Sequence, residues 1–440
     1  MSSKTPSAAT KKEATPALVP KLRFPGFSEP WAYDPLSKVL TEHKNKNTAG
    51  RDVFSVSMEH GIVNQIELLG RSFAAADTSH YTIGRRYDVV YTKSPLKAFP
   101  FGIVKQCKFD GEVALSPLYG VFTPPNPHLG LMIEAYFESP NRSKDFLSPL
   151  CQKGAKNTLQ ITNTTFLSGR VPLPPQPAEQ QKIAECLSSV DELMAAQARK
   201  VEALKTHKKG LMQQLFPREG ETQPRLRFPE FQNSGEWEEA PLSKFILSLD
   251  AGVSVNSGDS RPASKTEYGV LKTSAITKGQ FEPEENKVVL AEDELSRLRE
   301  PVAGGTIIMC RKNTPALVGS NAYVESSHEN LFLPDLLWAA KPREGISMRF
   351  LAFILGSDKG RAALTKLAKG SSASMSNITK PEVLAFTVMA PSPAEQQRIA
   401  SCLSSLDTLI TVETQKLEAL KTHKKGLMQQ LFPSPEEVTA

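Results

Sequence analysis

Apolar side chains follow a helical repeat in two separate stretches of the chain. In residues 177–217 and 393–433 they recur at alternating spacings of four and three, over more than four heptads. This spacing is the a/d seam of a coiled coil, so each stretch is predicted to form one long helix. The predicted seam residues are Ile183, Leu187, Val190, Met194, Val201, Leu204, Leu211 and Leu215 in the first helix, and Ile399, Leu403, Leu406, Ile410, Leu417, Leu420, Leu427 and Leu431 in the second.

Some positions in and beside the seam depart from the apolar pattern. The polar seam residues are Gln197 and Lys208 in the first helix, and Glu413 and Lys424 in the second. Polar seam residues lower stability but can fix the helix register. Gly210 and Gly426 should each cost about 1 kcal/mol relative to Ala, which predicts a close helix contact or a bend there. At the start of the second helix, Ser392 and Glu395 predict a capping box.

The two helices are copies of one another. The segments at residues 177–217 and 393–433 share 30 of 41 positions, and residues 202–217 match 418–433 without a difference. Two shorter motifs, Leu-Arg-Phe-Pro and Pro-Leu-Ser-Lys, also occur twice, at residues 22–25, 226–229, 35–38 and 241–244. Two helix copies can bury each other's apolar stripe, so the repeat predicts a frame with approximate twofold symmetry.

Between these repeats lie two segments of unlike sequence that predict mixed α and β structure. Short apolar runs bounded by Gly, Pro and Asn predict strands at residues 88–92, 102–105, 120–123, 269–272, 306–309 and 387–389. Residues 348–355 and 359–367 predict helices. The predicted fold class is therefore α+β, with two mixed α/β domains, two long helices and a pseudo-twofold internal repeat.

The predicted domain boundaries follow this order. They are a disordered tail at residues 1–20, a first domain at 21–175, a central long helix at 176–217, a linker at 218–225, a second domain at 226–391, a C-terminal long helix at 392–433 and a tail at 434–440.

Composition excludes some classes of protein. No apolar run approaches the ~20 residues of a membrane span, and the N-terminus lacks the apolar core of a signal peptide. Five cysteines are scattered without a paired spacing, which fits a reducing cytoplasm, so a cytoplasmic location is expected. The net charge of +6 permits a nucleic-acid partner but is weak support for one.

Catalytic motifs are missing from the sequence. It contains no phosphate-binding loop, no dinucleotide fingerprint, no zinc-protease motif and no nucleophile elbow. Two catalytic halves would be expected to share their chemical residues, whereas these halves share residues of the frame. The pattern therefore favours a binding protein with no catalytic residues and no metal site of its own.

The repeated motifs resemble those of one known family, the specificity (S) subunits of type I restriction-modification enzymes. The resemblance covers most of the chain and rests on the Pro-Ala-Glu-Gln-Gln start and the Leu-Met-Gln-Gln-Leu-Phe-Pro end of each helix, and on the opening Leu-Arg-Phe-Pro-Gly-Phe. It implies two target-recognition domains, each reading one half of a split, asymmetric DNA site. It also implies that the two long helices pack as an antiparallel coiled coil and separate the domains.

The same resemblance implies a set of partners. They are double-stranded DNA, two methyltransferase (M) subunits that modify adenine, and restriction (R) subunits, in a system for DNA methylation and defence against foreign DNA. This chain would carry no cofactor, and S-adenosylmethionine, ATP and Mg would bind to the partner subunits. A variant of this hypothesis is a subunit that serves methyltransferases alone.

Two corresponding strand ends supply candidate DNA contacts. Residues 88–94 align with residues 306–312, and each predicted strand leads into a polar, basic loop. Lysine and arginine suit phosphates and guanine edges, and asparagine suits adenine. The candidate DNA-binding residues are Lys93, Ser94, Lys97, Arg311, Lys312 and Asn313. The alternative is that both loops are simply solvated strand ends.

Two other functions remain open from sequence. A coiled-coil adaptor that binds proteins without DNA specificity would show no salt-dependent affinity for DNA, whereas lysine and arginine contacts to phosphate would. A divergent enzyme would require activity from the chain alone.

Overall fold

The computed structural model describes residues 18–153, 159–257, 261–372 and 375–433. The chain divides into two compact units. The first unit contains residues up to Arg199 and those from Thr414 onward, and the second contains Lys200–Glu413. Each unit therefore includes the start of one long helix and the end of the other, so the division runs through both helices rather than beside them.

The first unit contains two four-stranded sheets and several short helices. Its strands are β1 (Ala32–Pro35), β2 (Thr41–Glu42), β3 (Val53–Ser57), β4 (Gly61–Asn64), β5 (Thr82–Arg85), β6 (Val89–Thr92), β7 (Ile103–Gln106), β8 (Glu112–Leu115), β9 (Gly120–Thr123), β10 (Gln152–Lys153), β11 (Leu159–Gln160) and β12 (Arg170–Leu173). Its helices are α1 (Gln65–Leu69), α2 (Pro127–Phe137), α3 (Pro140–Leu147), α4 (Asn163–Ser168) and the start of α5 (Pro177–Leu215).

The second unit contains a corresponding set of elements. Its strands are β13 (Glu238–Pro241), β14 (Ile246–Ala251), β15 (Gly269–Leu271), β16 (Asn286–Val288), β17 (Pro301–Val302), β18 (Ile307–Cys310), β19 (Lys312–Asn313), β20 (Asn321–Tyr323), β21 (His328–Phe332), β22 (Leu337–Pro342), β23 (Lys369–Ser372), β24 (Met375–Asn377) and β25 (Thr387–Ala390). Its helices are α6 (Glu292–Leu295), α7 (Met348–Gly356), α8 (Asp358–Lys366), α9 (Lys380–Ala385) and the start of α10 (Pro393–Leu431).

The two units have the same sheet topology although their sequences differ. In the first unit the sheets have the orders β2-β9-β6-β7 and β4-β3-β8-β5, and in the second β14-β22-β18-β20 and β16-β15-β21-β17. The single parallel pairing within these sheets falls at the same place in both, between β3 and β8 and between β15 and β21. This repeat of elements confirms the predicted α+β class and its pseudo-twofold character.

In each unit the segments of α5 and α10 run antiparallel and are joined by equivalent ion pairs. Lys424 contacts Asp191 at 2.8 Å in the first unit, and Lys208 contacts Asp407 in the second. The two pairs are related by the 216-residue offset of the repeat. Lysine at these seam positions therefore has a carboxylate partner on the opposing helix, which gives the polar seam residues a physical role in register.

The predicted seam residues all lie on the less exposed face of their helices. Ile183, Leu187, Ile399 and Leu403 are buried in the cores of their units, as are the helix ends at Leu215 and Leu431. The remaining predicted seam residues are half-buried apart from the buried Val201. Glu413 is also buried and contacts Lys200 at 3.1 Å.

In each unit a buried ion pair joins the Leu-Arg-Phe-Pro motif to the start of a long helix. Arg23, in the opening motif, donates from Nε and Nη2 to Glu179 of the first helix start at 2.7 and 2.8 Å. Arg227 donates in the same way to Glu395 at 2.8 and 2.7 Å. Each glutamate is 1% exposed. We call these two contacts the motif ion pairs, and they give Glu395 a partner other than the predicted capping box.

The opening motif also contacts the end of the opposing helix in each unit. The Leu22 N–H donates to the Gln430 carbonyl, and the Leu226 N–H donates to the Gln214 carbonyl. Aromatic contacts next to these bonds repeat as well: Trp31 packs edge-on against Phe432 and Trp237 against Phe216, each at 6.0 Å between ring centroids. The family motifs are thus parts of one repeated contact between a domain and two helix ends.

Of the two alternatives predicted for the glycines beside the seam, a bend or a close helix contact, the close contact is wrong. A Cβ atom added to Gly210 or Gly426 would meet no atom within 4 Å.

Gly210→Ala and Gly426→Ala are therefore each expected to raise the free energy of unfolding by about 0.5–1 kcal/mol, since Ala lowers the entropy of the unfolded chain. Chemical denaturation measures this change. Gly360→Ala is the control that should lower the free energy of unfolding, because its Cβ would lie 2.1 Å from the Ile354 carbonyl oxygen.

The predicted disordered tail needs one correction where the structure describes it. Leu18 is 7% exposed, and its carbonyl accepts a hydrogen bond from Trp31 N–H at 2.8 Å. It is therefore part of the first core, because burial against Trp31 offsets the loss of chain entropy. Residues 1–17 and the tail predicted at 434–440 lie outside the described residues. Among the helices of the described ranges, none has the length and apolar character needed to cross a bilayer.

Candidate nucleic-acid interface

The predicted DNA-binding loops follow two strands at the same position in their sheets. β6 and β18 each lie between two neighbours, and the loops at residues 93–102 and 311–320 begin where these strands end. Gly102 closes the first loop with a φ of 99°, and Gly319 closes the second near its end with a φ of 72°. A Cβ on Gly102 would lie 2.0 Å from the Thr92 carbonyl oxygen. Each loop therefore folds back onto its strand and exposes the residues between.

The first loop presents three predicted residues to different degrees. Ser94 and Lys97 are exposed, and Lys93 is half-buried. Leu96 and Phe99 exchange backbone hydrogen bonds of 3.0 Å, which holds the loop in a tight turn. Burial lowers the pKa of Lys93 from its ordinary value, although the charge of Glu42 opposes this shift. An anion placed beside Lys93 would recover the electrostatic energy lost by burying its ammonium group.

The second loop holds its predicted arginine in a defined orientation. Arg311 donates from Nε to the Asp335 carbonyl at 2.6 Å and from Nη2 to the Asp335 carboxylate at 3.4 Å. Lys312 is exposed on β19. The Asn313 side chain accepts from Thr314 N–H at 2.8 Å and donates to Cys310 Sγ at 3.6 Å. Asn313 is therefore engaged locally, whereas Lys312 extends from the surface.

Arg311 lies in a cleft that could not be predicted from the sequence. The cleft has a volume of about 430 Å³ and is also lined by Asp335, Asn377, Thr379 and Lys380. The small sheet β19-β24-β23 brings Asn377 beside the loop, because Lys312 pairs with Asn377 in register. These residues are distant from Arg311 along the chain. Their position beside it could have been predicted only from the strand pairing.

The chemistry of this cleft suits recognition rather than catalysis. A guanidinium group binds guanine edges or phosphate, and an amide side chain can bind adenine in two hydrogen bonds. Cleft and loops contain no activated nucleophile within the described residues. Among those same residues, no group of three His, Cys, Asp or Glu side chains could hold a metal ion.

The chain thus combines a repeated helical frame with two domains that share one topology and differ in their loops. This arrangement defines a class of recognition proteins with two binding domains. The family model for the type I restriction modification DNA specificity domain matches residues 102–206 and 260–422, together more than half of the chain. The chain therefore belongs to the type I restriction-modification DNA specificity family, which confirms the resemblance seen in its motifs.

Individual relatives agree with this family. The specificity subunit of the type I restriction enzyme MjaVIII from Methanocaldococcus jannaschii is 28% identical over 280 residues, which are 62% of this chain and 63% of that protein. The EcoEI specificity subunit from Escherichia coli is 24% identical over 168 residues, 38% of this chain and 28% of that protein. The chain spans less than two thirds of the length of either relative.

A solved structure shows the same fold. The S subunit of a type I restriction-modification system from M. genitalium superposes with a TM-score of 0.58 at 12% identity. The superposition covers 95% of this chain and 100% of that one. It therefore extends over both units and the helix repeat.

Proposed function

We propose that this chain is the DNA-sequence recognition subunit of a type I restriction-modification complex. It reads a split, asymmetric DNA site, with one half-site for each unit, and has no catalytic role itself. It scaffolds two adenine methyltransferase subunits and also serves restriction subunits. S-adenosylmethionine, ATP and Mg bind to those partners, and the complex works in the cytoplasm.

One observation carries this proposal. The frame contacts are the same in both units, including the motif ion pairs and the Lys208–Asp407 and Lys424–Asp191 pairs. The loops after β6 and β18 both carry cations but differ in sequence, with Lys93, Ser94 and Lys97 in the first and Arg311, Lys312 and Asn313 in the second. A shared frame supports two like partners, and unlike loops on a common topology support the reading of two unlike half-sites.

Co-expression with a type I methyltransferase subunit from the same host tests the proposal. The purified complex should methylate adenine in one split DNA sequence, found by mapping modified adenines across a genome that expresses it. Failure of the wild-type chain to bind the methyltransferase, or methylation with no common split sequence, would count against the proposal. DNA affinity that does not change with salt concentration would favour the protein-binding adaptor instead.

The two loops should act on separate half-sites. Arg311→Ala is expected to reduce discrimination at one half-site by about 1–3 kcal/mol, the value of a bidentate base contact. Lys93→Ala should weaken binding through the other half-site and make the slope of log affinity against log salt shallower by about one. Binding to DNA with either half-site scrambled measures both effects, and each variant is the control for the other. Equal losses at both half-sites would contradict the division of labour.

A further inference from the structure

The identical helix ends have different surroundings in the two units. In the first unit, one charged side chain from the turn between α2 and α3 and one from the first turn of α3 cover the end of α10. Glu138 accepts a bond from Lys424 at 2.7 Å, and Arg142 donates from Nη1 to the Met428 carbonyl at 2.9 Å. Arg142 also lies over the Phe432 ring at 5.1 Å, and Phe432 is fully buried.

The helix caps show which residues of the second unit correspond to these two. Ser139 caps α3 by accepting from Arg142 N–H, and Ser357 caps α8 by accepting from Gly360 N–H. Arg142 and Gly360 are thus the third helical residue after equivalent caps. Glu138 and Gly356, each directly before its cap, correspond in the same way. Both charged side chains of the first unit are therefore replaced by glycine in the second.

An open groove remains where these side chains would lie. It has a volume of about 1140 Å³, and its lining includes Gly356, Gly360, Met212, Phe216 and Phe353. Met212 and Phe216 are half-buried, whereas their repeat counterparts in the first unit are buried. The same helix sequence is thus covered by its own domain in one unit and open in the other. We call this feature the Lys208 groove, after the seam lysine in its wall.

The groove also has a surplus of positive charge. Lys424 contacts two carboxylates in the first unit, Glu138 and Asp191. Its counterpart Lys208 contacts Asp407 and lies 4.9 Å from the centre of the Phe353 ring. Five lining residues are cationic and three are carboxylates, so the groove has a formal charge of +2. A carboxylate placed beside Lys208 would restore the contact that Glu138 makes in the first unit.

We propose that the Lys208 groove docks one acidic segment of a methyltransferase subunit. A carboxylate of that segment binds Lys208, and a neighbouring apolar side chain packs on Phe216 and Met212. DNA fits less well, because the groove floor is apolar and phosphates require an open basic surface. This inference rests on the proposed function. Since the equivalent place in the first unit is filled by Glu138 and Arg142, the two methyltransferase subunits are held with unequal affinity.

Gly356→Glu tests the proposal by supplying the carboxylate from within the chain. A Cβ at Gly356 would lie 3.8 Å from Asn321 Oδ1, an ordinary contact, so the exposed helix end accepts a side chain. The matched control is Ala362→Glu, which adds the same charge at an exposed position of α8 that does not line the groove. A second variant, Lys359→Glu with Arg218→Glu, reverses charge on the groove rim at two exposed residues without filling the groove.

Titration of the full-length chain with methyltransferase subunit alone, followed by analytical ultracentrifugation, measures the two binding steps. We expect Gly356→Glu and the rim variant to weaken the tighter step by on the order of tenfold or more, and Ala362→Glu to leave both steps unchanged. Two equal steps in the wild-type chain, or two steps that neither groove variant changes, would overturn the inference and leave the proposed function intact. No binding of methyltransferase to the wild-type chain would overturn both.

Discussion

Arg227→Ala is expected to destabilise the second unit by about 3–5 kcal/mol, because it leaves a buried carboxylate without its cation. Arg227 and Glu395 are 9% and 1% exposed, and both hydrogen bonds of the pair are shorter than 3 Å. The guanidinium also donates to the Ser234 carbonyl at 2.8 Å. The loss should appear as faster hydrogen exchange in residues 226–234 and at the start of α10.

A second arginine on the same contact provides the control. Arg398 pairs with Glu230 at 2.9 Å, but these side chains are 48% and 47% exposed. Arg398→Ala should therefore cost roughly 1 kcal/mol or less, even with loss of its contact to the Phe228 ring. Replacing both members of the buried pair, as in Arg227→Met with Glu395→Leu, should recover most of the loss. Similar effects of Arg227→Ala and Arg398→Ala would show that burial of the pair does not control stability.

The long helices could be predicted because their signal is local and periodic. The seam predicted helices at residues 176–217 and 392–433, and the structure has Pro177–Leu215 and Pro393–Leu431. At Glu395, where a capping box was predicted, the side chain accepts hydrogen bonds from Arg227, which lies 168 residues away in the chain. Local sequence rules predict the helix, but the hydrogen-bond partner of a charged residue in its first turn can come from a distant segment of the chain.

The common topology of the two domains could not be predicted from sequence. A sheet core requires apolar side chains at the right positions, and different apolar residues meet this requirement equally well. Tyr91 and Met309 occupy the same place in β6 and β18 and are both buried. Only the segment at residues 88–94 and 306–312 retained enough similarity to align, so the remaining strands carried no usable signal of common descent.

The candidate site was predicted where it depends on strand ends and missed where it depends on packing. Lys93 and Arg311 follow their strands directly, so a local reading located both loops. Asp335 and Lys380 reach the cleft beside Arg311 only through the arrangement of the sheets. The Lys208 groove was missed for a similar reason, since glycine at residues 356 and 360 has meaning only when α7 and α8 are compared with α2 and α3.

Lys424→Met is expected to destabilise the first unit by about 3 kcal/mol at neutral pH, because two partly buried carboxylates lose their shared cation. Lys424 Nζ lies 2.7 Å from Glu138 and 2.8 Å from Asp191. Lys105 remains 3.0 Å from Glu138, which keeps the loss at the lower end of the range for buried pairs. The control is Lys421→Met, one turn earlier, whose exposed pair with Glu418 should contribute about 0.5 kcal/mol or less.

The same variant should change how the first unit responds to acid. Burial raises the pKa of Glu138, but the charges of Lys105 and Lys424 outweigh this effect and hold the pKa below its ordinary value. A carboxylate with a lowered pKa stabilises the fold above its ordinary pKa of about 4.3, and this stabilisation is lost as the pH falls further. Lys424→Met removes one cation, so the folded-state pKa of Glu138 rises. The loss of folding stability between neutral and acid pH therefore becomes smaller. Hydrogen exchange of α2 and the end of α10 between pH 7 and pH 3, corrected for intrinsic exchange rates, should show a flatter profile than in the wild-type chain. An unchanged profile would mean that Lys105 alone sets the protonation of Glu138.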